Sequence, residues 1–194
     1  MKLALLMIAA FLLGSVPTGQ ILARSRGLNL KNTGSGNIGA TNVLRTMGRL
    51  PALFTLIGDI IKGVLPVVAA HYLHCGVIEE GITGLAAVLG HNFSVFMKFR
   101  GGKGVATSLG VLFVYAPLSA LATVAIWLGT VAATRYSSLG AIVSFCCLPV
   151  AVYLLDSIEK LPIVVSMSII MLVRHRENIS RLVSGTESKV GGAA

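Results

Sequence analysis

The chain has 194 residues, 55% hydrophobic and 12% charged, with a formal net charge of +9 and a mean hydropathy of +0.85. A soluble domain carries about 25% charged residues, so this chain has too little polar material to coat a water-facing surface, and intrinsic disorder is excluded with it. One compact, all-α, polytopic membrane domain over residues 1–194 is predicted.

The three cysteines are Cys75, Cys146 and Cys147. Their number is odd and two are adjacent, so no disulfide framework or metal spacing is present. They are expected to be small buried hydrophobes.

Stretches free of Asp, Glu, Lys and Arg mark the spans in chain order. They are residues 3–23, 50–58 continuing past Asp59 and Lys62 to 78, 81–97, 104–134, 136–155 and 161–173. The first reads as a retained span, because Arg24 and Arg26 after it outnumber Lys2 before it. The fourth is too long for one helix across a hydrocarbon core of about 30 Å. Pro117 near its middle offers a cut. Cutting there places thirteen of the sixteen basic residues on one side of the membrane, as positive-inside topology requires. Seven short transmembrane helices follow, with the N-terminus outside and the C-terminus cytoplasmic. Residues 184–194 are expected to form a flexible cytoplasmic tail. The helix after Gly104 is then too short to cross alone, so the loop before it is expected to dip into the cytoplasmic half of the membrane.

Three polar motifs fall on that basic face. The first is Ser35-Gly36-Asn37-Ile38-Gly39-Ala40-Thr41-Asn42-Val43-Leu44-Arg45. Its glycines free the backbone to expose N–H groups, and its short polar side chains suit an anion cradle. Thr41 or Asn42 is a candidate cap for the helix carrying Arg45. The second runs from Gly90-His91-Asn92-Phe93 to Phe99-Arg100-Gly101-Gly102-Lys103-Gly104. Here backbone N–H groups, a helix N-terminus and Lys103 are expected to meet at one phosphate. It is not a Walker A loop, since Gly104 follows Lys103 where Ser or Thr would stand. The third is Arg174-His175-Arg176-Glu177-Asn178-Ile179-Ser180-Arg181 at the end of the last span. Ser138 opens the sixth span on the same face and is placed to reach a ligand. Asp59 and Lys62, three apart in the second span, read equally as an internal ion pair or a functional site.

These three motifs, with Gly14-Ser15-Val16-Pro17-Thr18-Gly19 in the first span, resemble those of the PlsY family from the N-terminus to about Leu182. The resemblance implies a bacterial integral-membrane acyltransferase at the cytoplasmic face of the cell (inner) membrane. It implies transfer of an acyl group from acyl phosphate to position 1 of glycerol 3-phosphate, giving lysophosphatidate and phosphate, the first step of phospholipid synthesis. Ser35, Gly36, Asn37, Thr41, Asn42 and Arg45 carry over from the first motif. Gly101, Gly102, Lys103 and Gly104 carry over from the second, and His175, Glu177 and Asn178 from the third. Lys103, Arg45, Ser35 and His175 are the expected catalytic residues, and the others, with Ser138, the expected substrate contacts. No cofactor, metal, nucleic acid or protein partner is implied; membrane lipids surround the site. The proton of the attacking hydroxyl goes either to His175 or to the leaving phosphate itself, with the second reading favoured. A channel or transporter for phosphate or a phosphorylated small molecule is the alternative class. Polar motifs gathered at one face, rather than at midplane breaks in repeated halves, favour the enzyme.

Overall fold

The computed structural model describes residues 1–191, and every regular element among them is helical. Ten α-helices follow in order: α1 (Lys2–Ser15), α2 (Thr18–Arg24), α3 (Ala40–Met47), α4 (Arg49–Tyr72), α5 (Val77–Asn92), α6 (Val105–Tyr115), α7 (Pro117–Thr134), α8 (Ser137–Leu155), α9 (Leu161–Arg174) and α10 (Arg176–Val183). Four stretches are long and apolar enough to cross a membrane: α1 with α2 taken together, α4, α7 and α8. Helices α5, α6 and α9, of 16, 11 and 14 residues, occupy the other three expected segments. The outward surface is rich in exposed Leu, Ile, Phe and Val, including Leu53, Phe54, Leu121, Leu154 and Ile169. Exposed apolar area on this scale belongs to a protein solvated by lipid.

Helix α6 stops at Tyr115 and α7 starts at Pro117, with Ala116 alone between them. Proline lacks the N–H that an interior turn would need but fits the first position of a new helix. The expected cut therefore falls where the sequence placed it. The first span is less regular than expected. It breaks at Val16-Pro17, and the freed Val16 carbonyl accepts a hydrogen bond from Lys62 Nζ at 2.8 Å. Asp59 sits 2.8 Å from the same ammonium, and both side chains are almost fully buried. The intramembrane charges thus form an internal ion pair that holds the α1–α2 break against α4. The second span ends at Tyr72 rather than Ile78, because Gly76 opens α5 and Glu79 reaches back to its N–H.

Glycine lets two pairs of helices touch backbone to backbone. A Cβ on Gly14 or Gly90 would lie 2.1 Å from the carbonyl oxygen of Ala87 or Phe11 across the α1–α5 seam. Gly63 and Gly110 meet Thr107 and Ile60 in the same way across α4–α6. The main core lies between α6, α8 and α9, around Leu112, Tyr115, Phe145, Leu148 and Met167. The cysteines are free, but the expectation that all three are buried fails: Cys146 is exposed, while Cys75 and Cys147 are half-buried. Cys146 lies on the outward face of α8, where a small apolar side chain meets lipid as readily as protein.

Candidate active site

The first motif is a loop built around Asn42. Its side chain is 1% exposed. Its amide nitrogen donates to the carbonyls of Asn37 and Thr33, at 2.7 and 3.0 Å, and its oxygen accepts from the Ser35 N–H at 2.9 Å. Its amide nitrogen and one oxygen lone pair are spent on the loop, so Asn42 shapes the cradle. Neither Thr41 nor Asn42 caps α3; its N-cap is Gly39, with no side-chain cap bond. Gly36 turns the loop at a left-handed φ of 69°. The Ser35 side chain is exposed. Thr41 Oγ1 lies 3.3 Å from Ser137 Oγ at the start of α8. Arg45, on α3, donates to the Ser188 carbonyl at 2.8 Å.

The second motif folds back under the end of α5. Gly101 and Gly102 donate their N–H groups to the carbonyls of Asn92 and His91, at 3.2 and 3.0 Å. Those two N–H groups are therefore taken, and the expectation that they cradle a phosphate does not hold for them. Their glycine identity has a different cause, close packing: a Cβ on Gly101 would sit 1.9 Å from the His91 carbonyl, and one on Gly102 2.2 Å from His91 Nε2. The carbonyls of the same residues are claimed from the other side. Arg174 reaches Gly102 O at 2.9 Å and Gly101 O at 3.4 Å, and Lys31 Nζ reaches Gly101 O at 3.1 Å. Arg174 also lies over the Phe93 ring. Gly104, at a left-handed φ of 83°, then opens α6.

This clamped loop presents Lys103. Its ammonium donates to Asn178 Oδ1 at 2.5 Å, which joins the second motif to the third. Burial, with Arg181 and Arg174 nearby, pulls the Lys103 ammonium down to about 8, while Glu187 and Glu177 hold it partly up.

His175 lies between α9 and α10, only 3% exposed. Its Nδ1 is 2.9 Å from the Met171 carbonyl. A carbonyl only accepts, so Nδ1 carries the proton and Nε2 keeps its lone pair. Burial, the main cause, and the Lys103 charge depress its pKa to about 4 against the raising effect of the Met171 bond. The ring is neutral throughout the working pH range. Ser138, on the first turn of α8, completes the cluster by donating to Glu187 at 2.6 Å. Glu177, exposed on the first turn of α10, makes no side-chain hydrogen bond among the described residues and reaches Lys103 by its charge alone.

Contacts thus bring together Lys103, Asn178, Ser138 and Arg181, with Arg45 joined through the segment after α10. Among the described residues no hydrogen bond carries the Ser35 hydroxyl to the other motifs. Sequence reasoning counted Lys31 only as topological charge, and it named Arg174 in the third motif without assigning it a role against the second. It also passed over Glu187, which lies in a Gly-rich tail with no motif to mark it.

The family model described as Glycerol-3-phosphate acyltransferase matches residues 4–185. A protein of Geotalea daltonii named Glycerol-3-phosphate acyltransferase is 50% identical over 187 residues, covering 94% of this chain and 95% of its own. Its namesake in Geobacter sulfurreducens is 47% identical, covering 93% of each. Among solved structures, PlsY (YgiH), an integral membrane glycerol 3-phosphate acyltransferase in its glycerol 3-phosphate form, superposes with a TM-score of 0.93 at 38% identity. That match covers 98% of this chain and 96% of the other. The lysophosphatidic acid form superposes with a TM-score of 0.90 at 37% identity. With the family model matched over residues 4–185 and relatives of 47–50% identity covered almost end to end, the chain belongs to the glycerol-3-phosphate acyltransferase family.

Proposed function

We propose that this chain is an acyltransferase that moves a fatty acyl group from acyl phosphate to position 1 of glycerol 3-phosphate. The observation that carries the reading is the half-buried Lys103 ammonium, bonded to Asn178 with Arg181 nearby, while Ser138 and Arg45 are tied to the same cluster through Glu187 and Ser188. Acyl transfer from acyl phosphate to glycerol 3-phosphate brings two phosphate-bearing anions together. Buried cations and fixed donors offset their repulsion and stabilise the charge that develops on the leaving phosphate.

In the reaction, the position 1 hydroxyl attacks the acyl carbonyl carbon. The bond from that carbon to the phosphate oxygen breaks, and inorganic phosphate leaves. Acyl phosphate is a mixed anhydride, so no covalent enzyme intermediate is needed. The hydroxyl proton passes to the departing phosphate. His175, neutral and with a free Nε2 lone pair, orients glycerol 3-phosphate by accepting a hydrogen bond from its position 2 hydroxyl, which leaves the position 1 proton to the phosphate, and a pKa near 4 makes it a weak base for full proton removal. Accordingly, His175→Gln is expected to keep part of the activity, with the main loss in KM for glycerol 3-phosphate. The wild-type pH profile is expected to show no acidic limb near the ordinary histidine value of ~6.5. Such a limb, absent in the variant along with kcat, would make His175 the general base instead.

The site faces the cytoplasm of the cell inner membrane in this reading, on seven spans with the N-terminus outside. Cysteine labelling in intact cells is expected to protect Lys98→Cys and Ser184→Cys and to modify Glu80→Cys and Glu159→Cys. Labelling of position 184 from outside would overturn the topology. The reaction itself is tested by offering the purified protein acyl phosphate, acyl-CoA and acyl carrier protein separately with labelled glycerol 3-phosphate. Lysophosphatidate is expected from acyl phosphate alone; formation from either thioester would reassign the donor.

A further inference from the structure

The segment after α10 does not leave the bundle. Gly185 turns it at a left-handed φ of 71°, and the N–H groups of Thr186 and Glu187 both donate to the Arg181 carbonyl. It then crosses the site as a strap. The Ser188 carbonyl takes the bond from Arg45, and the Val190 N–H donates to the Arg135 carbonyl at 2.7 Å.

Glu187 is at the centre of that strap, with its side chain 6% exposed. One carboxylate oxygen accepts from Ser138 Oγ and from Asn178 Nδ2, each at 2.6 Å. The other accepts from Arg181 Nε at 2.7 Å. These bonds outweigh burial and hold the carboxyl below its usual range, so it is ionised.

An ionised carboxylate only accepts hydrogen bonds, and an ammonium only donates. Asn178 stands between one of each. Its NH2 must therefore face Glu187, and its oxygen must face Lys103. The flipped amide would set NH2 against the ammonium and oxygen against the carboxylate, two repulsive contacts in a buried place. Glu187 thus determines which end of Asn178 receives Lys103.

We infer that Glu187 is a positioning residue for acyl transfer: it locks the Asn178 carboxamide so that its oxygen seats the Lys103 ammonium in the substrate site. The inference rests on the reading of Lys103 as a substrate phosphate contact.

The charged groups around Lys103 are Arg181, Glu187, Glu177 and Arg174. Of these, Glu187 and Glu177 favour the ammonium, so removing Glu187 lets Lys103 lose its proton at lower pH. That gives a readout a purely structural role would not move. Binding of labelled glycerol 3-phosphate and the pH dependence of kcat/KM are measured for the wild type, Glu187→Gln and Glu187→Ala. Glu187→Gln keeps the shape and the strap but removes the charge. The alanine variant is expected to lose about 10-fold to 100-fold in kcat/KM, and glutamine less. In both, the alkaline limb of the profile moves to lower pH. An alkaline limb that stays in place would overturn the inference. So would tighter glycerol 3-phosphate binding in the variants, because the carboxylate would then be competing with the substrate phosphate. Wild type that binds no glycerol 3-phosphate would instead sink the acceptor assignment and this inference with it.

Discussion

Replacing Lys103 with alanine is expected to lower kcat/KM by about 10²-fold or more, the order found when one preorganised transition-state donor is removed. The ammonium is held by Asn178 at the mouth of α6, in a half-buried setting where a single charge counts for more than in bulk water. Its proton is also held less firmly than that of an exposed lysine, at about 8. Activity in the wild type should therefore fall as pH rises through that value, as the cation is lost. The check is a steady-state assay across pH on the wild type and on folded Lys103→Ala. Near-normal turnover in the variant would put the substrate phosphate elsewhere.

Gly101→Ala is expected to be comparably damaging through geometry alone. The new Cβ would lie 1.9 Å from the His91 carbonyl and 2.8 Å from that of Asn92, both backbone atoms that cannot swing aside. The loop must move, and overpacking of this kind costs about 1–3 kcal/mol in stability. Displacing the reacting groups by about 1 Å can cost about 10²-fold in rate. Gly129→Ala on α7 is the matched control. Nothing among the described residues lies within 4 Å of its Cβ position, so stability and kcat/KM should hold. Thermal melts and assays on both variants check the pair; an active, stable Gly101→Ala would show that the loop does not need its close approach to α5.

The helices were legible because lipid leaves few choices. A run without charges, a proline and the sign of the loops located α6 to α9 within about a residue and the start of α4, whose end fell short of the expected Ile78. Pro17 stood in the sequence, yet neither the break at Val16-Pro17 nor what holds it was read there, because the Lys62 contact spans 46 positions along the chain. Within the site, residue type announced the anion chemistry but not who performs it. A Gly-Gly-Lys-Gly run reads as free N–H groups. Only the fold shows that the N–H groups of Gly101 and Gly102 are spent on α5, leaving Lys103 as the group presented. Asn42 looks like a ligand-facing amide until its three loop partners are seen. Glu187 carries no pattern at all, since its importance comes from Ser138, Asn178 and Arg181 converging on it.

The proposed reaction is direct transfer from acyl phosphate to glycerol 3-phosphate between two bound anions. Phosphate release and lysophosphatidate formation followed together in one reaction test it most directly. One phosphate is expected for each lysophosphatidate, with no phosphate release until glycerol 3-phosphate is added. A burst of phosphate without acceptor, with acyl group left on the protein, would contradict it.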